Sequence, residues 1–169
     1  MLKDFNSKIC LIGMPGSGKT TIGRDLAKLI GYKFLDMDET IKKETHSTIS
    51  EIFKKKGEKY FRNLEREIFK NVLALKDKLV ISTGGGIILN NANELNKTYN
   101  IYLKCNYDTL YKRLLRSRDR PLIKDNLKEN LKKLLNERKN KYSNIADIII
   151  DANSLKRDNL NSILKEIKK

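Results

Sequence analysis

Cysteine, histidine and long apolar runs are scarce in this chain of 169 residues, which has two cysteines and one histidine. Cys10 and Cys105 both fall in predicted strands, a setting for small buried thiols rather than a disulfide or a metal site. His46 sits in a polar stretch and reads as an exposed loop residue. No segment approaches the roughly 20 apolar residues a membrane helix needs. Met1-Leu2-Lys3-Asp4-Phe5-Asn6 lacks the apolar core of a secretion signal. These shortages argue for a cytoplasmic protein with no membrane partner. A hydrophobic fraction of 39% beside 34% charged residues describes one domain over residues 1–169 with a heavily solvated surface.

Charge is abundant, at +15 net. Such an excess invites a polyanion partner, but the lysines are scattered and no stripe of basic residues with interleaved aromatics accompanies them. We therefore expect no nucleic-acid partner. The same field speeds association with small anionic substrates.

The densest signal is Gly13-Met14-Pro15-Gly16-Ser17-Gly18-Lys19-Thr20. Glycines let backbone N–H groups close around a phosphate chain. In such a loop the lysine ammonium meets the β- and γ-phosphates and the following hydroxyl holds Mg²⁺. The apolar run Ile9 to Ile12 precedes the loop, and Ile22, Leu26, Leu29 and Ile30 follow at helical spacing. Strand, loop and helix is the context the motif requires, and it aims a helix N-terminus at the anion.

Short apolar runs alternate with helical segments along the rest of the chain. Strands are predicted at Ile9 to Ile12, Lys33 to Met37, Leu79 to Ser82, Asn100 to Lys104 and Ile148 to Ile150. Helices are predicted at Lys19 to Ile30, Ser50 to Lys56, Gly57 to Leu75, Asn91 to Asn96, Asp108 to Arg116, Asn126 to Asn140 and Leu155 to Ile167. Unalternating isoleucine and valine suit strands covered on both faces, hence a three-layer α/β domain around a parallel sheet. Arg116-Ser117-Arg118-Asp119-Arg120-Pro121 breaks the pattern and suits a mobile flap.

Four clusters bear on the phosphoryl acceptor. Asp36 and Asp38 close the second predicted strand, where alternation puts both on one side, facing the ligand crevice at the carboxyl ends of the strands. The alternative is helix capping by Asp38. Arg62 and Glu65, three apart on a helix, share a face, so the acid can orient a guanidinium that clamps a carboxylate; alone, such a pair is also an ordinary surface pair. Gly84-Gly85-Gly86 after the third strand suggests a ligand lying directly on backbone, or a flexible turn. Arg120 on the flap can neutralise a transferring phosphoryl group. Spacing alone does not separate Arg138 from Arg113 or Lys139.

Taken in order, GMPGSGKTTIGRDLA, FLDMDE, IFKKKGEKYFRNLE, ISTGGG, RPLI and ERKNKYSNIADIIID resemble the shikimate kinase family over almost the whole chain. The resemblance implies the nucleoside monophosphate kinase fold, with a five-stranded parallel sheet in order 2-3-1-4-5, a substrate-binding segment near 38–66 and a lid near 113–125. It implies transfer of phosphate from ATP to the 3-hydroxyl of shikimate, by a monomer. By that resemblance Gly16, Ser17, Gly18, Lys19, Thr20 and Thr21 bind ATP phosphates, Thr20 ligates Mg²⁺ and Asp36 holds the metal through water. Asp38 is the base, Arg62 and Arg138 clamp the substrate carboxylate, and Gly84, Gly85 and Gly86 add backbone contacts. Arg120 reaches the γ-phosphate. The adenine-side arginine is Arg116 or Arg113, and Asn153 belongs to the adenine loop that follows the last strand.

Overall fold

Five short strands, built mainly on Ile, Leu, Val and aromatic side chains, form one sheet whose pairs all run parallel in the order β2-β3-β1-β4-β5. The computed structural model describes residues 7–116 and 126–167. The strands are β1 (Lys8–Ile12), β2 (Lys33–Asp36), β3 (Leu79–Ser82), β4 (Tyr99–Lys104) and β5 (Ile148–Asp151). The helices are α1 (Lys19–Ile30), α2 (Met37–Thr45), α3 (Ile49–Ala74), α4 (Ala92–Leu95), α5 (Tyr107–Leu115), α6 (Leu127–Ile145) and α7 (Lys156–Ile167), with a 3₁₀ turn at Ile87–Leu89. The expected architecture and strand order are thus observed.

Helices cover both faces, and register shows how. Leu11 lies under α1, where Gly23 allows close contact: a Cβ on Gly23 would stand 2.9 Å from both Leu11 and Phe34. The next residue, Ile12, pairs with Tyr102, and the Tyr102 ring stacks on Tyr142 of α6 at 5.1 Å. Alternation along β1 therefore places α1 and α6 on opposite faces. All five residues of β1 are buried, as a central strand covered twice must be. Helix α7 joins the α1 side, tied by the Lys156–Asp25 ion pair at 2.7 Å.

Local signals set the element ends. Gly31 ends α1 in the left-handed region (φ 73°), donating its N–H to Ala27. Thr48 and Glu51 form a reciprocal capping box that starts α3. The two helices expected on either side of Gly57 are seen as the two arms of the span Ile49–Ala74, broken by a kink where Gly57 takes the non-helical φ 79°, ψ 171°.

Two expectations need correction. Strand β2 stops at Asp36, and Met37, fully buried, opens α2. Asp36 and Asp38 therefore do not alternate on one strand, and the residue that caps α2 is Asp36, not Asp38: its Oδ1 accepts from the N–H groups of Asp38 at 3.0 Å and Glu39 at 3.3 Å. Cys105 lies one residue past β4; both cysteines are free and buried, as expected. Burial pushes the Cys10 thiol up to about 12. Residues 117–125, most of the expected lid and with it Arg120, lie outside the described residues. Among the described residues no helix is long and apolar enough to cross a membrane.

Candidate active site

The loop between β1 and α1 owes its shape to three glycines in conformations that other residues resist, Gly13 (φ 147°), Gly16 (φ 85°) and Gly18 (φ 94°). Gly18 precedes α1 without a side-chain cap, and no acid lies in the first turn, so the N-terminus of a 12-residue helix offers its N–H groups to an anion. Lys19 is buried, and its ammonium donates to the carbonyls of Gly13 and Met14, each at 2.9 Å. That holds the charge across the mouth of the loop. Among the described residues the Ser17 hydroxyl is buried with no hydrogen-bond partner, a second sign of a cradle shaped for oxygens that are not the protein's own. Thr21, expected among the phosphate ligands, is exposed in the first turn of α1.

Beside the cradle, Thr20 donates its hydroxyl to Asp36 Oδ2 at 2.7 Å and lies 3.2 Å from the Ser82 hydroxyl. Register explains the meeting, because Asp36 and Ser82 are paired neighbours and Ser82 also pairs with Leu11. Three hard oxygen donors suit Mg²⁺, whose remaining ligands are ordinarily phosphate oxygens and water. Among the described residues no group of three or more His, Cys, Asp or Glu could hold a metal ion. Ser82 was missed as a site residue: a serine ending a strand carries no signal until the pairing is known.

The triple-glycine loop after β3 forms the other wall. None of its glycines takes a positive φ, and the need for glycine is steric. A Cβ on Gly84 would lie 2.9 Å from Glu65 Oε1 and 3.3 Å from Asp38 Oδ1. On Gly85 it would meet the Pro15 ring of the phosphate loop at 2.8 Å, and on Gly86 it would fall inside the Arg62 guanidinium. The loop thus stands against Asp38, Glu65, Arg62 and Pro15 at once. Arg138 NH1 donates to the Gly85 carbonyl at 3.0 Å, and the Tyr142 hydroxyl donates to the same oxygen. Side chains from α2, α3 and α6 and the Pro15 ring press on this expected ligand-contacting loop from several directions.

Charge in this corner is buried. Arg62 is held by Glu65 at 2.8 Å and by Glu58 at 3.3 Å, and it lies over the Phe61 ring at 5.1 Å. Glu65 is fully buried, and among the described residues its second oxygen has no hydrogen-bond partner. Burial pushes its carboxyl up, against the pull of Arg62. Arg62 and Arg138 are each 8% exposed, so both guanidiniums meet consecutive glycines from inside the protein. Among the described residues Arg138 Nε is buried without a partner. Spacing had left Arg138 level with Arg113, and the tertiary structure separates them.

Arg113 serves the far side of the phosphate loop. It donates to the Ala152 carbonyl at 3.0 Å and to the Gly16 carbonyl at 3.4 Å, bridging the loop after β5 to the cradle. Arg116 is exposed at the C-terminal end of α5. Asn153 accepts from the Asn106 N–H at 2.9 Å and donates to Asp151 at 2.6 Å, which pins the loop after β5 to the start of α5.

A phosphate cradle at the carboxyl rim of a parallel sheet, beside a buried cluster of acid and guanidinium, defines a P-loop kinase of a small molecule. A solved structure of deoxyadenosine kinase from M. mycoides supports that fold at a TM-score of 0.63, with 19% identity, 96% of this chain covered and 100% of that chain. The family model for shikimate kinase matches residues 15–168. A shikimate kinase of Dictyoglomus turgidum is 38% identical, covering 89% of this chain and 90% of the relative. The structure of shikimate kinase from Acinetobacter baumannii in complex with shikimate has a TM-score of 0.90 and 36% identity, covering 95% of this chain and 92% of that one. The chain belongs to the shikimate kinase family.

Proposed function

We propose that this enzyme, a kinase that uses ATP to phosphorylate shikimate for aromatic amino-acid biosynthesis, performs the transfer across the wall shared by its two glycine loops. One observation carries the site assignment: two buried guanidiniums, Arg62 and Arg138, meet adjacent glycines of a loop that touches both Asp38 and Pro15 of the phosphate loop. A carboxylate held by both arginines keeps the acceptor ring beside Asp38, on the side of the cradle where Lys19 waits.

Phosphoryl transfer asks the protein for alignment and charge neutralisation more than for covalent chemistry. Asp38 takes the proton of the attacking 3-hydroxyl. Lys19 leaves the Gly13 and Met14 carbonyls for the phosphates, and the N–H groups at the start of α1 complete the cradle. Thr20, Asp36 and Ser82 would hold Mg²⁺, which when bound neutralises phosphate charge. Arg113 and Asn153 order the loop after β5 where adenine is to lie. The family pattern gives Arg120 the γ-phosphate and the segment near 113–125 the role of lid, which on closing excludes water as a competing acceptor.

The large exposed apolar side chains, among them Leu29, Tyr60, Ile149 and Leu155, are dispersed over separate elements, which supports a monomer. Two free buried thiols fit a reducing cytoplasm. ADP release measured with shikimate, quinate, gluconate and nucleoside monophosphates tests the acceptor; the expected result is turnover strongest with shikimate. Asp38→Asn should lower kcat about 10²- to 10⁴-fold, the range for loss of a general base, with the KM for ATP nearly unchanged. Near-normal turnover would remove Asp38 as the base.

A further inference from the structure

Tyr142 has no part in the roles given above, yet its hydroxyl reaches the centre of the site. It donates to the Gly85 carbonyl, the same oxygen that accepts from Arg138. A carbonyl oxygen has two lone pairs and can hold both donors at once. Arg138 also interacts with the Tyr142 hydroxyl beside it, but among the described residues its Nε is buried with no partner. A guanidinium in that condition gains by turning its fork onto a carboxylate. Turning draws the donating nitrogen away from Gly85, and a part-buried carbonyl stripped of its donor resists the move.

We infer that Tyr142 is a positioning residue of the acceptor site, keeping the Gly85 carbonyl satisfied so that Arg138 is free to engage the acceptor carboxylate. This rests on the reading of Arg138 as a carboxylate clamp. Three features hold the hydroxyl in place. Tyr142 follows Arg138 by one helical turn, so both project from one face of α6. Its ring is fully buried and stacked on Tyr102 at 5.1 Å. Gly85 cannot follow a retreating Arg138 without disturbing its packing on the Pro15 ring, which stands 2.8 Å from its Cβ position. Burial also pushes the phenol far above neutral pH, so the hydroxyl stays a donor throughout the working range.

Tyr142→Phe keeps the ring and the stack and removes only the hydroxyl. Steady-state kinetics should show the KM for shikimate raised about tenfold, a change of about 1.4 kcal/mol, with kcat and the KM for ATP within about twofold. Tyr102→Phe, which trims the other ring of the stack, should leave all three constants unchanged. In an Arg138→Ala background, Tyr142→Phe should add less than about twofold, because no guanidinium remains to be released. A lowered melting temperature with an unmoved KM for shikimate would mean a structural hydroxyl and overturn the inference alone. An undiminished effect in the Arg138→Ala background would also overturn it. If Arg138→Ala itself leaves the KM for shikimate unchanged, the clamp falls and the inference with it.

Discussion

Two glycine-rich loops leave neighbouring strands of one sheet, and they use glycine for opposite reasons. After β1 the chain needs backbone angles that a side chain resists, at φ 147°, 85° and 94°. After β3 no such angle occurs, and the glycines are required because Glu65, Asp38, Pro15 and Arg62 occupy the space where Cβ atoms would be. The first loop is shaped from within and presents backbone donors to an anion. The second is shaped from outside, as a thin wall on which α3, α6 and the phosphate loop converge. Glycine content alone does not tell a ligand cradle from a packing surface; the sign of φ and the neighbours do.

Substitutions can break this contrast one wall at a time. Lys19→Met should have the largest effect, about 10³-fold or more in kcat, the scale for losing one preorganised charge at a reacting phosphate. Calorimetric titration should find shikimate binding to that variant nearly intact; joint loss of both ligands would mean that the two loops are a single unit. Gly86→Ala comes next. Its Cβ displaces the far end of Arg62, a flexible side chain, so the fold should survive while kcat/KM for shikimate falls about 10²-fold, or about 2.7 kcal/mol, with the KM for ATP unchanged. Unaltered shikimate kinetics would show that Arg62 is dispensable to the clamp. Gly85→Ala should be the mildest, about five- to tenfold, but it should raise both KM values, because its new methyl presses on Pro15. An effect confined to one substrate would break the proposed contact between the loops.

The phosphate loop was legible in the sequence because its chemistry is local: eight consecutive residues carry the glycines, the lysine and the hydroxyl that the cradle uses. Strand positions were legible too, since buried parallel strands appear as uninterrupted apolar runs. The acid pair was read with the wrong geometry. A strand rule was extended one residue too far, through Met37, whereas Asp36 uses its side chain to start a helix and leaves Asp38 in that helix's first turn. Ser82 and Tyr142 were not legible at all, because a strand-end serine and a tyrosine in a helix look like many others until pairing and packing deliver them to Thr20 and Gly85.

What the chain's order of residues determined unaided was the anion cradle, the alternation of strands with helices, and the ordered motifs that carry the family resemblance; each depends on contacts between residues near one another along the backbone. Only the tertiary structure decided that Arg138 rather than Lys139 reaches the glycine loop after β3, that Arg113 bridges the cradle to the loop after β5, and that the two glycine loops meet at Pro15. Those outcomes depend on which helix lies over which strand. That is set by burial summed over the whole core, a quantity no short segment contains.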